Sequence, residues 1–191
     1  VIDSGRLGKL FYLYSNRLNL GTVRTEESVF PSFAPHDISV LDYLTGASAC
    51  RIEAKGAKFL QDRVYDSTLV QLEYPGNVHA HIYVSWLHPY KQQLLVVAGS
   101  KGMLSFDDAA DGKEIRFYNK RIDLENGVPV KVEAPDEIIP YEKKMPLEEE
   151  LRYFVEHLDS TIGINSGEAG YEVVKVLETV QQIIENNGQQ E

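Results

Sequence analysis

The stretch SVFPSFAPHDISVLDYLTG, residues 28–46, places His36 and Asp37 directly behind Pro35 at the start of an apolar-periodic run. Proline suits the first turn of a helix, where its missing N–H leaves nothing unsatisfied. Ile38, Val40, Leu41 and Leu44 then supply an apolar face before Gly46 ends the run. His36 therefore falls in the first turn, where the helix dipole and unpaired N–H groups disfavour an imidazolium and adjacent Asp37 offsets them. A neutral imidazole open to a ligand can exchange a proton with a substrate hydroxyl. The same residues also read as a surface histidine beside a helix-start aspartate.

A second constellation is SNRLNLGTVRTEE, residues 15–27, in which Arg17 and Arg24 flank Asn16 and Asn19. Two guanidiniums can receive a phosphate or carboxylate in forked geometry, or pair with neighbours such as Glu26 and Glu27. His79 and His81, two apart on a strand, face one side with metal-ligand spacing. No cysteine or carboxylate stands in register with them, so they read as interface or surface residues, and no metal is expected. AGSKG, residues 98–102, has neither the G-x-G-x-x-G nor the G-x-x-x-x-G-K-[ST] spacing that cradles nucleotide phosphates.

Strands must hold these residues. Lys9 to Leu20 is rich in aromatic and branched residues, and CRIEAKGAKF, STLVQLEYPG, VHAHIYVSWL, QLLVVAGS, GMLSFDD and EIRFYNKRI follow with strand character. Turn chemistry separates them at YPGN, HPYK and DDAADG, which predicts an antiparallel meander. Two helical stripes close the chain, Leu151, Phe154, Val155 and Leu158, then Val173, Val176, Leu177, Val180, Ile183 and Ile184. The expected fold is α+β, a large, mostly antiparallel sheet with helices on one face. On the other face, Leu10, Tyr12 and Tyr14 and the set His79, His81, Tyr83 and Leu87 leave an apolar patch too large for a solvated surface. It predicts self-association through the open face, the alternative cover being a loop or a further part of the chain.

The 191 residues, 43% hydrophobic, suffice for one large core. A net charge of −10 gives no basic footprint for nucleic acid or an anionic membrane surface. Cys50 is the single cysteine, which excludes an internal disulfide and fits a cytoplasmic setting. No apolar run reaches the roughly 18 residues of a membrane helix. The opening VIDSG reads as the last turn of a helix closing on Gly5, so the chain is expected to be the downstream part of something longer, with residues 1–8 as a linker-helix end, 9–187 as the domain and 188–191 as a frayed tail.

Taken in order, GRLGKLFYLYSNRLNLG, APHDISVLDYLTG, VSWLHPYKQQLLVVAGSKGMLSFDD and PLEEELRYFVEHLDS followed by GYEVVKVLETVQQ resemble the C-terminal domain of the Gfo/Idh/MocA oxidoreductases. Within that family the likeness is greatest to members that oxidise nucleotide-linked sugars, of the UDP-N-acetylglucosamine 3-dehydrogenase type. The resemblance spans nearly the whole chain. It implies an N-terminal Rossmann domain that binds NAD or NADP and carries the catalytic lysine in a Glu-Lys-Pro motif. YEKKMP at 141–146 is not that motif, because it falls in the wrong domain.

The resemblance further implies that His36 matches the histidine of the Asp-x-Gly-x-His motif, which stands beside the sugar carbon losing hydride and helps move the hydroxyl proton. Ser32 occupies the aspartate position and Ala34 the glycine position. Arg17, Asn19, Arg24, Ser32 and Lys91 are the expected substrate-binding residues, and no cofactor-binding residue is assigned to this chain. The implied function is the substrate-binding and oligomerisation domain of an NAD(P)-dependent dehydrogenase acting on a sugar or sugar nucleotide, assembled as a homo-oligomer, dimer or tetramer, and inactive as this chain alone. The alternative is a non-enzymatic sugar-nucleotide-binding or assembly module.

Overall fold

Alternation of apolar and polar residues along VHAHIYVS and STLVQLEY sets the two faces of the sheet, because successive side chains on a strand point to opposite sides. The computed structural model describes residues 1–160, 162–163 and 166–188. In it, strands β1 (Leu10–Leu18), β2 (Arg51–Ala57), β3 (Ser67–Tyr74), β4 (Val78–Ser85), β5 (Gln92–Gly99), β6 (Met103–Asp107) and β7 (Ile115–Tyr118) form one sheet with a short strand at Glu137–Ile139. Two strands after β7, β8 (Lys120–Glu125) and β9 (Val128–Glu133), pair only with each other, and Glu137–Ile139 is then β10. The sheet order is β10-β7-β6-β5-β1-β4-β3-β2.

The fold class is as expected, and the meander needs one correction. β1 does not sit at an edge: it lies between β4 and β5, parallel to the first and antiparallel to the second. A central place suits its residues, since Leu13 and Leu18 are buried and residues 12–18 are in register with a neighbouring strand on both edges. EIRFYNKRI also breaks at Asn119, so that its two halves join different sheets. Asn119 serves the break by donating to the Pro135 carbonyl at 2.8 Å and to Glu137 at 2.9 Å.

Four helices are described: α1 (Val29–Phe33), α2 (Pro35–Thr45), α3 (Pro146–Glu156) and α4 (Gly167–Gly188). Helix α2 starts on Pro35 and ends at Gly46, whose φ of 69° is the left-handed cap expected there. Ile38 and Leu41 from α2, Val29 and Phe30 from α1, and Val176, Val180 and Ile184 from α4 close a core over Leu13, Val70, Leu72, Ala80, Ile82, Val84 and Trp86. Val40, expected on that apolar face, is exposed.

The stripe Leu151, Phe154, Val155 and Leu158 also departs from expectation, because α3 buries none of its residues. Among the described residues, α1, α2 and α4 are the helices that cover the helical face. The segment before β1 is turns, with Gly5 at φ 69° donating to the Ile2 carbonyl, and it is pinned over β5 by Lys101 N–H to the Leu7 carbonyl at 2.9 Å. Of the tail 188–191, Gly188 ends α4 and the rest lies outside the described residues.

Candidate functional site

β1, β2 and β4 run in the same direction, so the loops that follow them, 19–28, 58–66 and 86–91, gather at one end of the sheet. Asn19, Arg24 and Lys91 stand on these loops, and α2 brings its first turn down on the end of β1. Ser15 and Arg17 point to the helical side of β1, in register with Ile82 and Val84.

At that contact the opening pair separates. Asp37 is 6% exposed, and its carboxylate turns inward, accepting from Ser15 Oγ at 2.5 Å and from Arg17 Nε at 2.8 Å. Arg17 Nη2 reaches the same carboxylate at 3.4 Å. With the Gln93 amide turned to satisfy both ends, Gln93 accepts from Arg17 Nη1 at 3.2 Å and donates to Asp108 at 3.3 Å. His36 faces outward, exposed, with no hydrogen-bond or ion-pair partner among the described residues. Asp37 therefore does not face the His36 ring, since both of its oxygens are taken by β1.

Ser32 lies half-buried on α1, and among the described residues it makes no side-chain hydrogen bond. His36 accordingly has no acidic partner from that position. Asn19 is half-buried, its N–H bonded to the Ser85 carbonyl at 3.1 Å. Arg24 is exposed and ion-paired with Glu27, as the sequence allowed, and its carbonyl accepts from Gln61 Nε2 at 2.9 Å. Lys91 is exposed and has no ion pair among the described residues. The structure thus joins Arg17 to the first turn of α2 and leaves Arg24 and Lys91 on separate loops of the same sheet end.

The sequence hides the roles of two residues. Asp37 reads as a helix-start residue, and nothing local shows that its partners are 20 and 22 positions upstream. Asp66 is fully buried, accepting from the Phe59 and Leu60 N–H groups at 2.6 and 2.8 Å and from Trp86 Nε1 at 2.8 Å. Burial alone would raise its pKa, but these three donors outweigh burial and hold the carboxyl below the ordinary aspartate value. It sets the 58–66 loop that reaches Arg24. The only advance signal was an aspartate inside an apolar stretch, RVYDSTLV.

On the opposite face, Tyr12, Tyr14, His79 and His81 align across β1 and β4, with Tyr14 stacked on His81 at 5.0 Å between centroids. A cleft of about 240 Å³ there is lined by Tyr12, Arg51, Gln71, Glu73, His79 and His81. Burial lowers the His81 pKa. Among the described residues no cluster of metal-binding side chains occurs.

AGSKG is not a dinucleotide-phosphate loop. The turn at 99–102 joins antiparallel strands, its Gly99 N–H donating to the Gly102 carbonyl, and no helix follows to receive a phosphate. Among the described residues no helix is long and apolar enough to cross a membrane.

Residues 1–105 match the family model of the GFO/IDH/MocA C-terminal domain. No curated protein matches the chain. Among solved structures, UDP-N-acetylglucosamine 3-dehydrogenase GnnA from Acidithiobacillus ferrooxidans is similar at 19% identity and TM-score 0.79, covering 97% of this chain and 58% of that one. The aldose-aldose oxidoreductase from Caulobacter crescentus, complexed with glycerol, is similar at 17% identity and TM-score 0.76, over 97% of this chain and 56% of that one. The WlbA dehydrogenase from Bordetella pertussis, in complex with NADH and UDP-GlcNAcA, is similar at 15% identity and TM-score 0.70, over 97% and 56%. The chain thus spans less than two thirds of each structure's length. With the family model matching more than half of its residues, this chain belongs to the GFO/IDH/MocA oxidoreductase family and carries its C-terminal domain.

Proposed function

We propose that this chain is the substrate-binding and assembly part of an NAD(P)-dependent dehydrogenase that oxidises a CH–OH group of a sugar nucleotide, a UDP-sugar at carbon 3. The observation that carries this reading is the outward His36 on the first turn of α2, without a hydrogen-bond or ion-pair partner among the described residues, at the sheet end where Arg17 meets α2 and whose loops carry Asn19, Arg24 and Lys91. The fold likeness to two sugar-nucleotide dehydrogenases supports the substrate class.

In this reading His36 helps the Glu-Lys-Pro lysine, held by the NAD(P)-binding part, to take the proton of the substrate hydroxyl, with no carboxylate behind it because Ser32 stands in the acidic position. Asn19 and Ser32 hydrogen-bond the sugar, Lys91 takes the diphosphate as a solvated cation, and Arg24 takes it with the N–H groups that its Glu27 ion pair leaves free. Arg17, already shared between Asp37 and Gln93, offers only its remaining N–H edge. NAD(P) is held by residues outside this chain, which therefore does not turn over alone. The open face, where Tyr12 and Leu69 are 42% and 44% exposed, is the homo-oligomer contact. The single cysteine, Cys50, accords with a cytoplasmic enzyme.

The test is made in the full-length enzyme with UDP-N-acetylglucosamine and NAD⁺. His36→Ala lowers turnover by about 10²–10⁴-fold, the usual loss when a positioned proton donor or acceptor is removed. An unchanged turnover number removes His36 from the mechanism. Sedimentation of this chain, expected to show a dimer or tetramer, checks the open face.

A further inference from the structure

Helix α2 begins without a side-chain cap. Its N-cap position is Ala34, which has no oxygen to offer, and Pro35 follows at the first helical position. A helix start of this kind frays unless tertiary contacts hold it, since its first N–H groups have no intrahelical partners. Here the holding contact is Asp37, whose carboxylate spends both oxygens on β1, one residue from His36.

We propose that Asp37 is a positioning residue for the candidate site: by bracing Arg17 and Ser15 against the first turn of α2, it sets where His36 stands. The proposal rests on the reading of His36 given above. The brace has fixed geometry because a guanidinium and a carboxylate meet edge to edge, and Arg17 is only 24% exposed, so water competes weakly for the pair. Beyond Arg17 the network continues through Gln93 to Asp108 and its ion pair with Lys113 at 2.7 Å, joining the α2 start to the turn between β6 and β7. A purely local role for Asp37, as a carboxylate favoured by the helix dipole, would need neither β1 residue.

Asparagine at this position keeps the shape but loses the charge: with its oxygen on Arg17 its NH₂ meets Ser15 Oγ, which must turn from donor to acceptor, and in the other orientation its NH₂ meets the Arg17 N–H edge, donor against donor. In this chain, Asp37→Asn therefore speeds amide exchange at Ile38 and Ser39 about tenfold or more, while Val70 and Ile82 in the central strands keep their wild-type rates. Arg17→Gln gives the same local pattern, and the double variant adds little to either. Exchange unchanged at Ile38 and Ser39, or raised equally in the strands, overturns the proposal.

A second measurement separates the brace from the function. Turnover of UDP-N-acetylglucosamine with NAD⁺ is measured in the full-length enzyme as wild type, Asp37→Asn, His36→Ala and the double variant. Asp37→Asn lowers the turnover number in the presence of His36 and has little further effect once His36 is alanine. An equal loss in both backgrounds overturns positioning through His36. If His36→Ala alone leaves the turnover number unchanged, the functional reading fails, and the exchange pattern still decides whether the brace exists.

Discussion

Replacing Asp66 by asparagine is the sharpest probe of how the candidate site end is held. The wild-type carboxylate is fully buried with no ion-pair partner among the described residues, satisfied by two loop N–H groups on one oxygen and the Trp86 indole on the other. Asparagine keeps one acceptor oxygen. Its least harmful orientation retains the Phe59 and Leu60 bonds and turns an NH₂ toward the indole N–H, leaving a buried donor unpaired and the remaining bonds without charge. Losing a charge-assisted bond and orphaning its donor costs about 2–4 kcal/mol. For a chain of this length that is a fall in Tm of roughly 4–16 °C.

The assay is thermal or urea unfolding followed by the fluorescence of Trp86, the single tryptophan, which also reports the lost indole bond. The pH dependence fixes the sign independently. The folded pKa of Asp66 lies below the unfolded value of about 3.9, so its contribution is fully present above that pH and is lost as pH falls through the lower folded value. Asparagine does not titrate there, so the gap between wild type and variant is widest at neutral pH and narrows toward pH 3. A fall of less than about 2 °C, or a gap that does not narrow with acid, refutes the argument that three donors stabilise a buried anion.

Two further perturbations test the packing around the site. Burial raises the Asp42 pKa, and Glu172 adds to this against the opposing Tyr74 hydroxyl bond of 2.8 Å, so the charged form of Asp42 is less favoured in the folded state than in the unfolded chain. Asp42→Asn keeps an acceptor for Tyr74 and removes the disfavoured charge. It raises Tm at pH 7 by up to about 2 °C, a gain that disappears as pH falls and wild-type Asp42 takes its proton. Gly99→Ala places a Cβ well inside contact distance of the Leu7 carbonyl oxygen. It destabilises by about 1–3 kcal/mol in urea unfolding and exposes residues 2–8 to limited proteolysis.

Much of the local structure was legible because it depends on neighbours in the chain. Pro35 and Gly46 bound α2 wherever that helix packs, and the alternation of VHAHIYVS assigns Ala80, Ile82 and Val84 to one face of any sheet. The stripe on α4 was legible for the same reason, and Val176, Val180 and Ile184 are buried. The stripe on α3 has equal periodicity and stays exposed, because periodicity says which residues share a face and not what covers it.

The sequence by itself determined the α+β class, the bounds of α2, the two faces of the central strands and the outward His36, all of which follow from local stereochemistry and side-chain period. Only the tertiary structure decided that β1 enters the middle of the sheet parallel to β4. That choice brings Ser15 and Arg17 under the α2 start, turns Asp37 away from His36 and gives its carboxylate to β1. Strand order and ion-pair partners at long sequence separation are settled by which buried groups can satisfy one another in space, a condition that no local pattern in the chain encodes.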